Sequence, residues 1–365
     1  MARIACKRAG GLTAMVVALL LPLCVQAADW QAEWDRTVAA ANKEGALVIT
    51  APSGREWRNQ IMLFEKDYPA IKVSATPMAG RDLWPRFVKE REAGQYLWDL
   101  RVGGTDIEAY RLKNEGHFAS ARAALILPEV TDPTKWHGGI DGLFADNDKK
   151  YVMQFCAYDQ IPALYNNEAI TDPAVQELKN IVDPKFTGKI SMADPRAGSS
   201  LTAMGVFDKV FGDDFLRQLL GQQKPVITKQ PRQQLDWLLS GRYPITMGLP
   251  TAALVEFEQS GGKLDKVAKV RGFLQYSQGV GGLTLFTHAP HPNAAKVFTN
   301  WILTQKVQAR LMKAVKLNSR RVDVPIEDPE TELDWSRYAE YYGGQTEALF
   351  PYQTRASQLV QELVK

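Results

Sequence analysis

Short apolar runs along the chain alternate with stretches in which apolar residues recur every three or four positions. The first rhythm predicts buried strands and the second amphipathic helices. Leu47 to Thr50 is one such run; it ends in Pro52-Ser53-Gly54-Arg55, and Trp57, Ile61 and Phe64 then begin a helical face. Ile71 to Ala75 ends near Met78-Ala79-Gly80-Arg81 and leads to Leu83, Phe87 and Val88. Trp98 to Val102 ends in Gly103-Gly104-Thr105 and leads to Ile107 and Leu112. Three strand–helix units in succession predict a parallel α/β sheet with right-handed crossovers. Upstream, Trp30, Trp34, Val38 and Ala41 predict a helix that Gly45 stops.

A second α/β set follows. Its strands are predicted at Pro162 to Tyr165, Ile190 to Met192, Val226 to Thr228 and Ile245 to Met247. After Met192 the chain turns at Asp194-Pro195. Gly198-Ser199-Ser200 then opens a helix whose face is Leu201, Met204, Phe207 and Phe211. Either serine is a good N-cap, and the free N–H groups at such a helix start favour an anion. Ile245 to Met247 ends in Gly248-Leu249-Pro250-Thr251 and opens another helix. Gly279 to Phe286 is a glycine-rich entry into a strand. Pro290-His291-Pro292-Asn293 starts a further helix, and Thr354 to Val364 predicts a last one. In parallel α/β sheets ligands collect at the carboxyl ends of strands, which is where the Ser53, Arg81, Thr105, Ser199 and Thr251 loops lie.

The first 27 residues follow neither rhythm. Arg3, Lys7 and Arg8 precede an apolar core from Leu12 to Val25, and Val25-Gln26-Ala27 is a small–x–small pattern. This predicts a secretory signal peptide cleaved after Ala27. Cys24 suggests a lipoprotein alternative, against which Leu23 stands where a small residue belongs. Composition changes the picture only through that segment. The 365-residue chain is 45% hydrophobic and 23% charged, with a net charge of +3. Removing residues 1–27 leaves 41 basic against 41 acidic residues, so the positive excess is a targeting feature and no nucleic-acid footprint. It also leaves Cys156 as the single cysteine, hence no internal disulfide. No later run is long enough to span a membrane, so the expected product is soluble and exported.

Catalytic motifs are missing. There is no G-x-S-x-G elbow, no H-E-x-x-H and no GxxxxGK[ST] loop, which argues against an enzyme and assigns any ATPase to a separate subunit. His288 and His291 are kept off a regular helix by Pro290 and Pro292, a poor metal pair. Neither a cofactor nor a metal is expected.

Several stretches carry a family resemblance. They are Phe87-Val88-Lys89-Glu90-Arg91-Glu92-Ala93-Gly94, Leu164-Tyr165-Asn166-Asn167 and Asp183-Pro184-Lys185-Phe186-Thr187-Gly188-Lys189-Ile190. They continue in Asp194-Pro195-Arg196, Gly241-Arg242-Tyr243-Pro244-Ile245, Ala289 to Lys296 and Asn318 to Pro325. In this order the chain resembles the periplasmic solute-binding proteins of ABC importers. The branch it resembles is the ferric-iron type, whose members also take sugar phosphates, phosphonates and thiamine. The resemblance implies a type II two-lobed α/β fold, each lobe a mixed, mostly parallel sheet with flanking helices, and a ligand cleft between them. It implies crossings near 157–162, 277–282 and 319–324. Lobe 1 is then 28–157 plus 282–320, and lobe 2 is 162–277 plus 325–365. It further implies a periplasmic monomer whose partners are a small ligand and a membrane permease.

Ferric members of that family hold iron largely with adjacent tyrosines just after a lobe 2 strand. The matching place here is Pro250-Thr251, and the first-lobe loops offer Ser53-Gly54-Arg55 and Arg81. Arginine suits an anion such as a phosphate, phosphonate or carboxylate, for which it can supply a bidentate clamp. Ser53, Thr105, Ser199, Ser200 and Thr251 are expected to contribute hydroxyl and backbone N–H groups, and Gly104 and Pro250 are expected to line the same site from these loops. Trp84 and Tyr158 are expected to wall the organic part, with Asp159 or Gln160 holding an amine or hydroxyl. The arginines also fit plain surface ion pairs. Two alternatives stay open: iron held without the tyrosine pair, and an exported α/β enzyme.

Overall fold

Two separate sheets, each with its own core, are joined by a third of three short strands. The computed structural model describes residues 21–196 and 198–364, without the side chains of 21–29, Thr251 and Ala252. Residues 1–20 of the expected signal peptide therefore lie outside the described residues. The expected cleavage point at Ala27 falls within the helix Leu21–Glu44. No described helix is long and apolar enough to cross a membrane.

The first sheet runs Lys72–Pro77, Ala46–Ala51, Leu100–Val102, Gly282–Phe286, Phe118–Ala119, with Val152–Gln154 also paired to Gly282–Phe286. Its first three strands are parallel, each followed by a helix, as the sequence rhythm predicts. Gly282–Phe286 is antiparallel to its neighbours and comes from far along the chain. Leu47, Ile49, Phe64, Phe298 and Trp301 fill one face of this sheet. Trp84, Phe87, Phe118 and Phe286 fill the other. Each such aromatic ring contributes about 1.5–3 kcal/mol on burial.

The second sheet runs Val267–Lys269, Ala163–Asn166, Ile245–Met247, Ile190–Ala193, Val226–Thr228. Its last three strands are parallel, and Ala163–Asn166 is antiparallel to Ile245–Met247. The helices Gly198–Phe211 and Phe350–Leu363 pack together over its core, which includes Phe207, Leu216, Leu219, Leu359 and Val360.

Tyr158–Asp159, Gln275–Ser277 and Tyr342–Gly343 form the small sheet between the two. Tyr158–Asp159 lies within 157–162 and Gln275–Ser277 ends where 277–282 begins; Tyr342–Gly343 lies outside 319–324. Near 319–324 the chain instead pairs Ser319 with Cys156 and Arg321 with Trp136, on the first lobe, and it returns only at Tyr342. The glycines after the second strand serve two different purposes. Gly279 has φ of +55°, but Gly281 and Gly282 have no positive φ. A Cβ on Gly282 would lie 2.5 Å from the Gly103 oxygen, and one on Gly281 would strike Cys156. These two glycines allow close strand approach.

Arg321 explains why 319–324 stays on the first lobe. Its buried guanidinium bonds both oxygens of Asp323 (2.7 and 2.9 Å) and the carbonyls of Glu129 (3.1 Å) and Leu303 (2.9 Å). These hydrogen bonds from Arg321 hold the Asp323 carboxyl below its ordinary value of 3.8. A carboxyl depressed in the folded state stabilises above its unfolded pKa and loses that contribution as pH falls through the folded one. Acid unfolding of the wild type should therefore show a stability loss beginning near pH 3.8 that Asp323→Asn lacks. Equal acid limbs for the two proteins would refute this.

Candidate functional site

The carboxyl ends of the parallel strands in both lobes carry the loops that open helices, and the expected site residues divide between them. In the first lobe, Gly54 (φ 121°) turns the chain out of Ala46–Ala51 into the helix Arg55–Met62. Arg55 is 85% exposed and touches its neighbour Glu56 at 3.1 Å. Such a surface pair is worth little and leaves the guanidinium available. Ala79 precedes the helix Gly80–Glu92 in extended conformation, with no side chain capping the first N–H groups. Arg81, at this uncapped start, is 86% exposed and lies 3.8 Å from Asp82.

Behind these loops lies a residue that sequence reasoning passed over. Arg101 projects from the middle of Leu100–Val102 and is only 5% exposed. Its guanidinium donates to the Met78 oxygen at 3.1 Å and the Gly104 oxygen at 3.4 Å, and lies 5.3 Å from the Trp84 ring centre. Met78 and Gly104 are the loop residues that follow two parallel strands, so the charge sits under the strand-end surface. Among the described residues no carboxylate comes within ion-pairing distance of it. Burial pushes its pKa down to about 10, and Asp106 pulls it upward, so it stays cationic at neutral pH. In-register neighbours Thr50 and Thr284 make a polar row with it across the sheet. Nε of Arg101 and both threonine hydroxyls lack hydrogen-bond partners among the described residues. The signal available in the sequence was an arginine inside the otherwise apolar run Trp98–Val102.

Three expected contacts are corrected. Trp84 is buried among Phe87, Phe118 and Phe286, and its indole N–H donates to Asp106 at 2.9 Å, so it is a core residue and walls no cleft. Gly104 and Thr105 are taken up by the chain itself. Thr105 Oγ1 accepts from Gln278 (2.7 Å) and donates to the Gln345 carbonyl (3.2 Å), and a Cβ on Gly104 would meet the Gly279 oxygen at 2.5 Å. Gln345 completes that lock with bonds to the Thr105 carbonyl (3.2 Å), the Gly279 carbonyl (3.3 Å) and the Ser277 hydroxyl (2.9 Å). Tyr158 lies against Gly279 with its hydroxyl toward Ser277, and burial raises its pKa.

In the second lobe the structure brings Ser199, Ser200, Met247 and Gly248 together with Gln160, Ile161 and Pro162 around a small hollow. The helix begins at Gly198, so the serines stand in its first turn. Arg196 does not reach this hollow as a free group; Asp194 grips it with two bonds of 2.8 Å and braces the turn. Pro250 is the N-cap of the helix Thr251–Gln259, and the side chain of Thr251 lies outside the described ones. Asp159 is half-buried on the first crossing strand, and desolvation raises its pKa against the pull of Lys269. Cys156 is buried and its thiol is pushed far up by desolvation, so it is inert at neutral pH. His291 donates to buried Asp99 (2.9 Å) as a helix-start brace. Among the described residues no group of His, Cys, Asp or Glu gathers as a metal set.

Two α/β lobes, three connecting strands and strand-end loops opening helices define the two-lobed, type II periplasmic-binding-protein fold. Solved structures share it. Iron-bound HitA from Pseudomonas aeruginosa has a TM-score of 0.62 at 15% identity, over 88% of this chain and 99% of that one. The apo ferric ion-binding protein A of Pasteurella haemolytica gives 0.66 at 12%, over 87% and 98%. A Trichodesmium protein (IdiA, FutA) in complex with iron and citrate gives 0.65 at 13%, over 88% and 99%. Residues 60–322 match the profile of the bacterial extracellular solute-binding proteins, and the chain belongs to that family. No curated protein matches it in sequence.

Proposed function

We propose that the chain is the exported solute-binding component of an ABC importer and that it closes its lobes on a small anion. The observation that carries this reading is the buried positive charge of Arg101, without a direct ion pair, beneath the strand-end loops, with exposed Arg55 and Arg81 at the helix starts of the loops after Ala46–Ala51 and Lys72–Pro77. A buried cation with no direct ion pair, Asp106 acting on it only from beyond ion-pairing distance, is costly, and an incoming phosphate, phosphonate or carboxylate would supply that direct pair. Ser199 and Ser200 offer hydroxyls and helix-start N–H groups from the opposite lobe. In this reading Tyr158–Asp159, Gln275–Ser277 and Tyr342–Gly343 are the hinge about which the lobes close. The signal peptide directs a monomer to the periplasm, and a permease with a separate ATPase takes the solute. Pro250-Thr251, in place of the paired tyrosines, disfavours direct iron capture.

A second reading has one support: the similar structures include proteins holding iron, one of them with citrate. Here the cleft would take ferric ion together with such an anion.

A thermal-unfolding screen of residues 28–365 separates the two. Sugar phosphates, phosphonates, carboxylates, thiamine and ferric citrate form the panel. A true ligand at 100 times its Kd adds about 2.7 kcal/mol. The proposal expects a phosphate or carboxylate compound to give that shift without iron, and Arg81→Ala with Ser199→Ala to shrink it. A shift with ferric salts alone, or one indifferent to both substitutions, would overturn it.

A further inference from the structure

A cavity of about 730 Å³ lies away from the strand-end loops. It lies on the other side of Gln160-Ile161-Pro162, the stretch it shares with the small hollow at Ser199 and Ser200. Its walls come from two of the connecting strands, through Asp159 and Tyr342, and from the segments beside the connections: Gln160 to Pro162, Lys269 to Leu274 leading into Gln275–Ser277, and Arg337 and Glu340. None of the strand-end residues Ser53, Arg55, Arg81, Ser199 or Pro250 lines it.

Chemically the cavity has a body and a rim. Ile161, Pro162, Val210, Phe273 and Tyr342 give an apolar wall, on which Phe273 and Tyr342 stack at 5.5 Å and 11°. The rim is charged. Arg337 is satisfied by Glu340 through bonds of 3.1 and 2.6 Å. Lys269 reaches Glu330 only at 3.8 Å and faces Asp159. Arg271 has no ion-pair partner among the described residues and is exposed. With Lys269 and Asp159 offsetting each other, one cation is left over beside an aromatic wall.

We infer that this cavity is a second ligand site, for a small amphipathic carboxylate whose apolar body lies on Phe273 and Tyr342 and whose anion pairs with Arg271. A cavity of this size is in the range of small-molecule sites, and a planar guanidinium matches a carboxylate. An occupant touches two of the connecting strands and the segment that leads into the third, so it is placed to stiffen them. The site is independent of what the cleft binds.

The test uses residues 28–365 and 4-phenylbutyrate, with 4-phenylbutylamine as the charge-reversed probe. Calorimetry should show the carboxylate binding at least tenfold more tightly than the amine. Arg271→Ala should weaken it at least tenfold, and Val210→Trp, which fills the cavity, should abolish it. Arg81→Ala with Ser199→Ala should leave it unchanged, which separates this site from the cleft. Hydrogen exchange gives a second readout in the unaltered protein: the carboxylate should slow amides in 159–162 and 269–274. Tighter amine binding, no binding of the carboxylate at millimolar concentration, protection elsewhere, or dependence on the cleft substitutions would each overturn the inference.

Discussion

Arg101→Met is expected to weaken binding of the cleft anion about thirtyfold while changing folding stability by no more than about 1 kcal/mol. The two effects separate because the guanidinium does different things in the two states. Without ligand, it is a buried charge held by two carbonyls, at 3.1 and 3.4 Å, with Nε unpartnered. Removing it relieves the desolvation of a buried cation, which offsets the two lost hydrogen bonds and the lost attraction to Asp106. With an anion docked in front of the loops, the same charge attracts it across protein. At about 8 Å and an effective dielectric near 20 a unit pair is worth about 2 kcal/mol, which is about thirtyfold. Arg101→Lys keeps the charge and should retain most of the affinity. Parallel binding titrations and denaturant melts of the three proteins check this. Equal affinity in Arg101→Met would make Arg101 a loop brace with no part in recognition.

Asp99→Ala should cost about 4 kcal/mol of stability, the largest single effect expected outside the apolar cores. Asp99 is fully buried at the end of the first sheet opposite the site. Its carboxylate accepts from the Val48 N–H (2.6 Å), the His291 N–H (2.7 Å) and His291 Nδ1 (2.9 Å). It thereby ties Ala46–Ala51 to the start of the helix Pro292–Leu303. Alanine removes all three acceptor contacts and strands two backbone donors, and breaking a buried charged network of this kind costs about 3–5 kcal/mol. Asp99→Asn retains part of the acceptor set and should fall between. Denaturant unfolding measures both, and a loss below about 1 kcal/mol for alanine would show that water replaces the carboxylate there.

The parts of this molecule that sequence made legible are those whose signal is local. Strand runs such as Ile245–Met247 and Val226–Thr228, and the glycine or serine turns after them, declare themselves within a few residues. The parts that escaped depend on partners far along the chain. Thr105 looked like an open strand-end donor because nothing near it shows that Gln345, 240 positions away, accepts its hydroxyl. Trp84 stands one turn before Val88, and only the packed structure shows that its indole N–H is already spent on Asp106. The crossing at Tyr342–Gly343 has two residues, too few for any periodicity. The crossing near 319–324 came from the family resemblance and from no local signal in Asn318 to Pro325. Arg321 in fact holds that stretch to Glu129 and Leu303 of the first lobe. Arg101 was hidden for the opposite reason: a strand interior is read as core, and a cation there is noticed only when its missing carboxylate is.

The most direct test of the central claim is a calorimetric titration of residues 28–365 in metal-free, chelator-treated buffer. Phosphate, phosphonate and carboxylate compounds are titrated singly and then with ferric ion. At least one anion is expected to bind without metal, with an affinity that falls as salt is raised and is weakened by Arg101→Met. If no anion binds alone and ferric ion binds without an added anion, the cleft is a metal site and the account is contradicted.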